Sequence, residues 1–144
     1  ARARARQVPG RPSGPPRRSG RRIAVLIVLG HGSRNPAATA QFMELVEHLR
    51  SARHEPVLPA FMELAEPGLD AAVEEAVAAG ATEIVVQPCF LFDGMHIRRD
   101  IPEMLSRFAA QHPAVAFRFG RPFGADPRLA GILMERAEEA ACLA

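Results

Sequence analysis

Two of the five histidines sit in loops where an imidazole has little packing to do. His31 lies in Gly30-His31-Gly32-Ser33-Arg34, where glycines on both sides permit a tight turn and remove side chains that would shield the ring. His96 follows Gly94 in the apolar stretch Phe90-Leu91-Phe92-Asp93-Gly94-Met95. Two neutral imidazoles on one rim can hold a divalent first-row metal and can also accept protons. With Glu63 as a nearby carboxylate, they would form a ligand set with open coordination positions, suited to delivery or reaction and not to a closed structural site. Arg34, Arg98 and Arg99 stand near helix starts, where guanidinium and backbone N–H groups receive carboxylates or phosphates. For Arg98 and Arg99 a solvated helix face is an equal alternative. Phe90, Leu91, Phe92 and Met95 read as core or a covered subunit interface, and His48, His54 and His112 as solvated groups.

These residues reach a common site only if the chain folds to bring three loops to one edge. Ile23 to Leu29 is an unbroken aliphatic run ending in Gly30, the mark of a parallel strand buried on both faces. Asn35-Pro36 then opens a helix to about Arg53. Pro56 to Phe61 reads as a second strand, pushed to an edge by Pro59, with a helix starting at Glu66-Pro67 and stopping at Gly80. Thr82 to Gln87 is a third strand, and Asp100 with Glu103 suggests a capping box for the next helix. Ala114 to Phe119 is a fourth strand, and Asp126-Pro127 caps a last helix to about Ala141. Strand and helix alternate throughout, so the expected fold is α/β: a single-domain three-layer sandwich with a four-stranded, mainly parallel sheet in the order 2-1-3-4. Ligands of such sheets bind beyond the carboxyl ends of the strands, where His31, Glu63 and His96 all fall.

Composition limits what else the chain can be. It has 144 residues, 48% hydrophobic and 24% charged, the profile of one globular domain. No run approaches the roughly 20 apolar residues of a bilayer span. Cys89 and Cys142 lack Cys-x-x-Cys spacing, which disfavours a disulfide framework, a structural zinc and a cysteine-bound cluster, and points to the reducing cytoplasm. The net charge of +2 averages two unlike parts. Eight arginines precede Ile23 in a stretch without acids, whereas from Ile23 onward 10 arginines face 16 acids. Residues 1–22 are expected to be a disordered Arg/Pro-rich tail and 23–144 the folded domain. A nucleic-acid role would rest on that tail alone and is disfavoured, because no aromatic residue interleaves the arginines.

Three motifs in order, Gly30-His31-Gly32-Ser33-Arg34, Phe61-Met62-Glu63-Leu64-Ala65-Glu66-Pro67 and Phe90 through Pro102, resemble the sirohydrochlorin cobaltochelatase family, the class II tetrapyrrole chelatases, in its short single-domain form. The likeness covers about residues 23–140 and extends to Arg121-Pro122-Phe123-Gly124-Ala125-Asp126-Pro127. It implies that His31 and His96 carry metal binding and proton abstraction, with Glu63 as the nearby carboxylate; on that basis an imidazole or Glu63 is expected to take the pyrrole protons, and Gly30, Gly32, Ser33, Arg34, Arg98 and Arg99 to receive the carboxylated macrocycle. It also implies a homodimer, a sirohydrochlorin-type tetrapyrrole as substrate, and no tightly bound cofactor. The divalent metal is itself a substrate, with Co2+ ahead of Fe2+ and Ni2+. Ligation requires neutral imidazole, so chelation is expected to fall as pH drops through the ordinary histidine range. A non-catalytic tetrapyrrole or metal carrier would use the same residues without turnover. A phosphohistidine enzyme lacks the Arg expected before His31, and a serine hydrolase lacks the Gly-x-Ser-x-Gly elbow.

Overall fold

The computed structural model describes residues 22–140, apart from the side chain of His96. Residues 1–21 of the expected tail, and 141–144 with Cys142, lie outside the described residues. Four strands, β1 (Ala24–Gly30), β2 (Val57–Phe61), β3 (Glu83–Pro88) and β4 (Ala116–Phe119), alternate with α1 (Pro36–Ala52), α2 (Leu69–Ala78), α3 (Ile101–Gln111) and α4 (Pro127–Ala140). The sheet order is β2-β1-β3-β4, and all three pairings are parallel. The expected order is therefore found, without an antiparallel member.

The central strand explains the layers. Val25, Ile27 and Leu29 point to one face, where they pack with Leu69, Val73 and Ala76 of α2 and Ile101, Leu105 and Phe108 of α3. Leu26 and Val28 point to the other, against Val46, Phe42 and Leu49 of α1. Ile27 and Leu29 have no exposed surface, so each contributes roughly 1.5 to 3 kcal/mol of burial. A strand apolar on both faces has no solvent side, and helices must cover it twice.

Three local expectations are corrected. First, α2 starts at Leu69 and not at Glu66-Pro67. The Glu66–Pro67 peptide is cis, the Phe61 N–H donates to the Pro67 carbonyl at 2.9 Å, and that carbonyl is thereby committed to the end of β2. Second, Asp100 is no cap: it has helical dihedrals and makes no side-chain capping bond, because a π-helical stretch, His96–Asp100, already precedes α3. Third, His112 is not a solvated bystander. Its ring is only 18% exposed, and its Nε2 lies 2.9 Å from Glu74 Oε1 on α2. His48 and His54 are exposed as expected.

At the opposite end of the sheet from the functional loops, Glu83 holds the start of β3. Its carboxylate pairs with Arg22 and, at 2.9 Å, with Arg118 of β4. Arg22, counted with the tail from its sequence, is thus tied to the sheet.

Candidate functional site

Parallel strands end on the same edge, and hydrogen bonds continue the ladder beyond β2 into its loop. The Met62 N–H donates to the Gly30 carbonyl at 2.9 Å and the Glu63 N–H to the His31 carbonyl at 3.1 Å. On the other side of β1, the Cys89 N–H donates to the Leu29 carbonyl at 2.8 Å. This zipper carries Glu63 alongside His31. Their side chains meet, with His31 Nε2 3.5 Å from Glu63 Oε1. Both are about half exposed, 49% and 54%, so the pair is open to an arriving molecule.

Two glycines make the approach possible. Gly32 has φ +98°, and a Cβ there would sit 1.7 Å from the Glu63 carbonyl oxygen. At Gly30 a Cβ would lie 2.9 Å from the Phe42 ring, which instead covers the end of β1 and tilts against Phe61 at 4.8 Å between centroids. The loop leads directly into α1. The Asn35 N–H donates to Ser33 Oγ at 3.0 Å, and Asn35 Oδ1 caps the helix through the Ala37 N–H at 3.0 Å.

His31 walls two small cavities. One of about 180 Å³ is lined by Gly30, Gly32, Ser33, Phe42, Phe61 and Cys89 besides His31. The other, about 170 Å³, is bounded by Phe90, Phe92, Gly94 and Ile97. Phe90 stands edge-on to the imidazole at 6.3 Å between centroids and also leans on the core. Burial pushes the Cys89 thiol above its usual range, which keeps it a neutral, weakly nucleophilic lining group.

Of the expected site residues, the structure brings Gly30, His31, Gly32, Ser33 and Glu63 together. His96 begins the π-helical stretch after β3, on the same edge of the sheet, and its side chain lies outside the described residues. Arg98 and Arg99 belong to that stretch, a wider turn of a kind often found at functional sites. Arg98 lies 3.7 Å from Asp93, and Arg99 lies 3.5 Å from Glu103. Arg34 is exposed at the mouth of the first loop. Sequence reasoning missed Cys89 and the placement of Phe90 against His31. Only the strand register, Leu29 opposite Pro88, sets them beside the imidazole.

Chemically, the arrangement offers a nitrogen donor and a carboxylate on an open rim. Among the described residues no three His, Cys, Asp or Glu side chains converge on one point, so no closed cation cage is preformed. A pair that leaves coordination positions empty can share an ion with another molecule, and the carboxylate can orient the imidazole or take a proton.

Fold and rim together define a doubly wound α/β domain with a solvent-open histidine–carboxylate site at the carboxyl ends of its strands. The family model for CbiX matches residues 25–140, and the chain belongs to that family. It is 32% identical over 139 residues to the sirohydrochlorin cobaltochelatase of Methanopyrus kandleri, covering 82% of this chain and 97% of that protein. It is 35% identical over 117 residues to the sirohydrochlorin ferrochelatase of Priestia megaterium, covering 81% of this chain but only 44% of that longer protein. Among solved structures, the cobalamin biosynthesis CbiX protein of Marinobacter aquaeolei VT8 superposes with a TM-score of 0.71 at 35% identity, covering 82% of this chain and 97% of that one. The fold and family expected from the motifs are those found.

Proposed function

We propose that this protein inserts a divalent metal, Co2+ foremost, into sirohydrochlorin. The observation that carries the reading is the His31–Glu63 pair, 3.5 Å apart at an open sheet edge, in a chain whose near-full-length Methanopyrus relative is a sirohydrochlorin cobaltochelatase. A solved structure of SirB from Bacillus subtilis subspecies spizizenii in complex with cobalt, 30% identical with a TM-score of 0.77, supports an ion of this class as substrate. Fe2+ and Ni2+ suit the same donors.

In this reading His31 and His96 hold the hydrated ion on one face of the macrocycle. As metal–nitrogen bonds form, two pyrrole N–H protons leave and the ion sheds water. Glu63 or an imidazole receives those protons, so charge balances without stranding a proton on the ring. Arg34, Arg98 and Arg99 offset the acidity of the domain toward a carboxylate-rich substrate.

A homodimer completes the reading. α4 has no buried residue, and its Ile132, Leu133 and Met134 are exposed, as are Leu91 and Phe92. With Leu129, the first two of those α4 residues and this pair line an apolar groove of about 460 Å³. An apolar surface of this kind fits a second copy better than water. Among the described residues no helix is long and apolar enough to cross a membrane, and the reading places the enzyme in the cytoplasm.

Anaerobic insertion into sirohydrochlorin with Co2+, Fe2+ and Ni2+ in parallel, followed by visible absorbance at limiting protein, tests the proposal. Multiple turnovers above the spontaneous rate support a chelatase. Stoichiometric binding without turnover would make the protein a carrier.

A further inference from the structure

A further cavity lies away from His31. It has a volume of about 440 Å³ and lies between the loops after β3 and β4, walled by Asp93, Arg121, Phe123, Gly124 and Asp126. Its backbone is fixed from two sides. The Gly120 N–H continues the ladder to the Val86 carbonyl at 2.9 Å, and Gln87 Nε2 donates to the Arg121 carbonyl at 2.8 Å. Gly120 makes that last bond possible, since a Cβ there would fall 1.9 Å from Gln87 Oε1. Further along, the Phe123 and Gly124 N–H groups donate to the Phe90 and Leu91 carbonyls at 3.0 and 2.7 Å. The loop bearing Arg121 is thus clipped to the loop that leads to His96.

Charge in this cavity is unevenly matched. Both oxygens of Asp126 are taken by Arg128, at 2.8 Å from Nε and 2.7 Å from Nη2, and this pairing holds its carboxyl well below the usual range. Asp93 faces Arg98. Among the described residues no carboxylate lies within ion-pair distance of the Arg121 guanidinium, although Asp126 feels its charge. Phe92 borders the cavity beside His31 and its neighbour Asp93 borders this one, so a flat molecule lying across the rim passes from one to the other.

We infer that Arg121 is a substrate-binding residue, taking a peripheral carboxylate of the tetrapyrrole while the ring lies over His31; this rests on the chelatase reading above. Gln87 acts through it, as a positioning residue that fixes the Arg121 backbone.

Binding of metal-free sirohydrochlorin, titrated by its visible spectrum, tests the inference in Arg121→Gln, Arg121→Lys and Asp93→Asn. Arg121→Gln is expected to raise Kd about tenfold, the size of one charge-assisted hydrogen bond, and to raise KM while kcat stays within about twofold. Arg121→Lys should recover part of the loss, and the salt dependence of binding should weaken in Arg121→Gln. Asp93→Asn should tighten binding, because it removes a negative charge from the same cavity. A Kd for folded Arg121→Gln within twofold of wild type overturns the inference. If Arg121→Gln does not fold, Arg121→Met takes its place, and a Kd within twofold of wild type in that variant overturns the inference instead. Wild-type protein that binds the pigment but never turns over defeats the chelatase reading alone. Wild-type protein that turns over beside an indifferent Arg121→Gln defeats this inference alone.

Discussion

Gly32 and Glu63 belong to loops after different strands, yet the Gly32 Cα lies so close to the Glu63 carbonyl that a methyl group would stand 1.7 Å from its oxygen. The two backbones are in contact, and this contact sets the reach between the imidazole of His31 and the carboxylate of Glu63. Gly32→Ala has no escape, because φ +98° also strains any side-chain-bearing residue. The variant should lose about 1 to 3 kcal/mol of stability and at least tenfold in metal insertion. Thermal unfolding and the insertion assay read the two effects separately, and full activity in a folded variant would show that the loop contact does not position the pair.

His31→Ala should abolish most of the enzymatic rate over spontaneous insertion while leaving the fold intact, since the ring is half exposed and lies outside the core. Glu63→Gln keeps the shape and removes the charge. A rate reduced about 10²-fold, with metal binding less affected, is expected if the carboxylate takes protons. An unaltered rate in either variant removes that residue from the mechanism.

Glu83 makes stability pH-dependent at the far end of the sheet. The Arg22 guanidinium, and Arg118 after it, hold its carboxyl below the usual 4.5 against the opposing effect of burial. A carboxyl lowered in the folded state stabilises fully above its ordinary value, and that contribution is lost as pH falls through the folded one. Wild-type melting temperature should therefore drop as pH is lowered below about 4.5. Glu83→Gln should melt a few degrees lower at neutral pH and show a shallower acid dependence. Parallel wild-type and mutant curves across the acid range would refute the role.

The α4 surface gives a prediction about assembly. Leu133 is 70% exposed and Ile132 half exposed along the apolar groove. Leu133→Asp should convert a dimer to monomer in light scattering without lowering helical content, because no core contact is broken. Monomeric wild-type protein at micromolar concentration would remove the dimer from the proposed function.

The alternation of apolar runs with amphipathic helical segments determined the fold class, and the motif order determined the family, because both depend on short-range pattern and on which residues must be buried. Ile23 to Leu29 could only be a strand covered on both sides, and that places α1 on one face and α2 and α3 on the other. His31 and Glu63 were legible as candidates from glycine context and motif. Their 3.5 Å approach was not, since it follows from hydrogen bonds running beyond the register of β1 with β2 and from the missing Cβ of Gly32. Local rules failed at Glu66-Pro67, where the Pro67 carbonyl serves the sheet, and at Asp100, where a π-helical stretch displaces the cap. The same limit hid the link between Gln87 and Arg121. Type and spacing name the groups able to do chemistry, but distances between loops are decided by pairings between residues far apart in the chain.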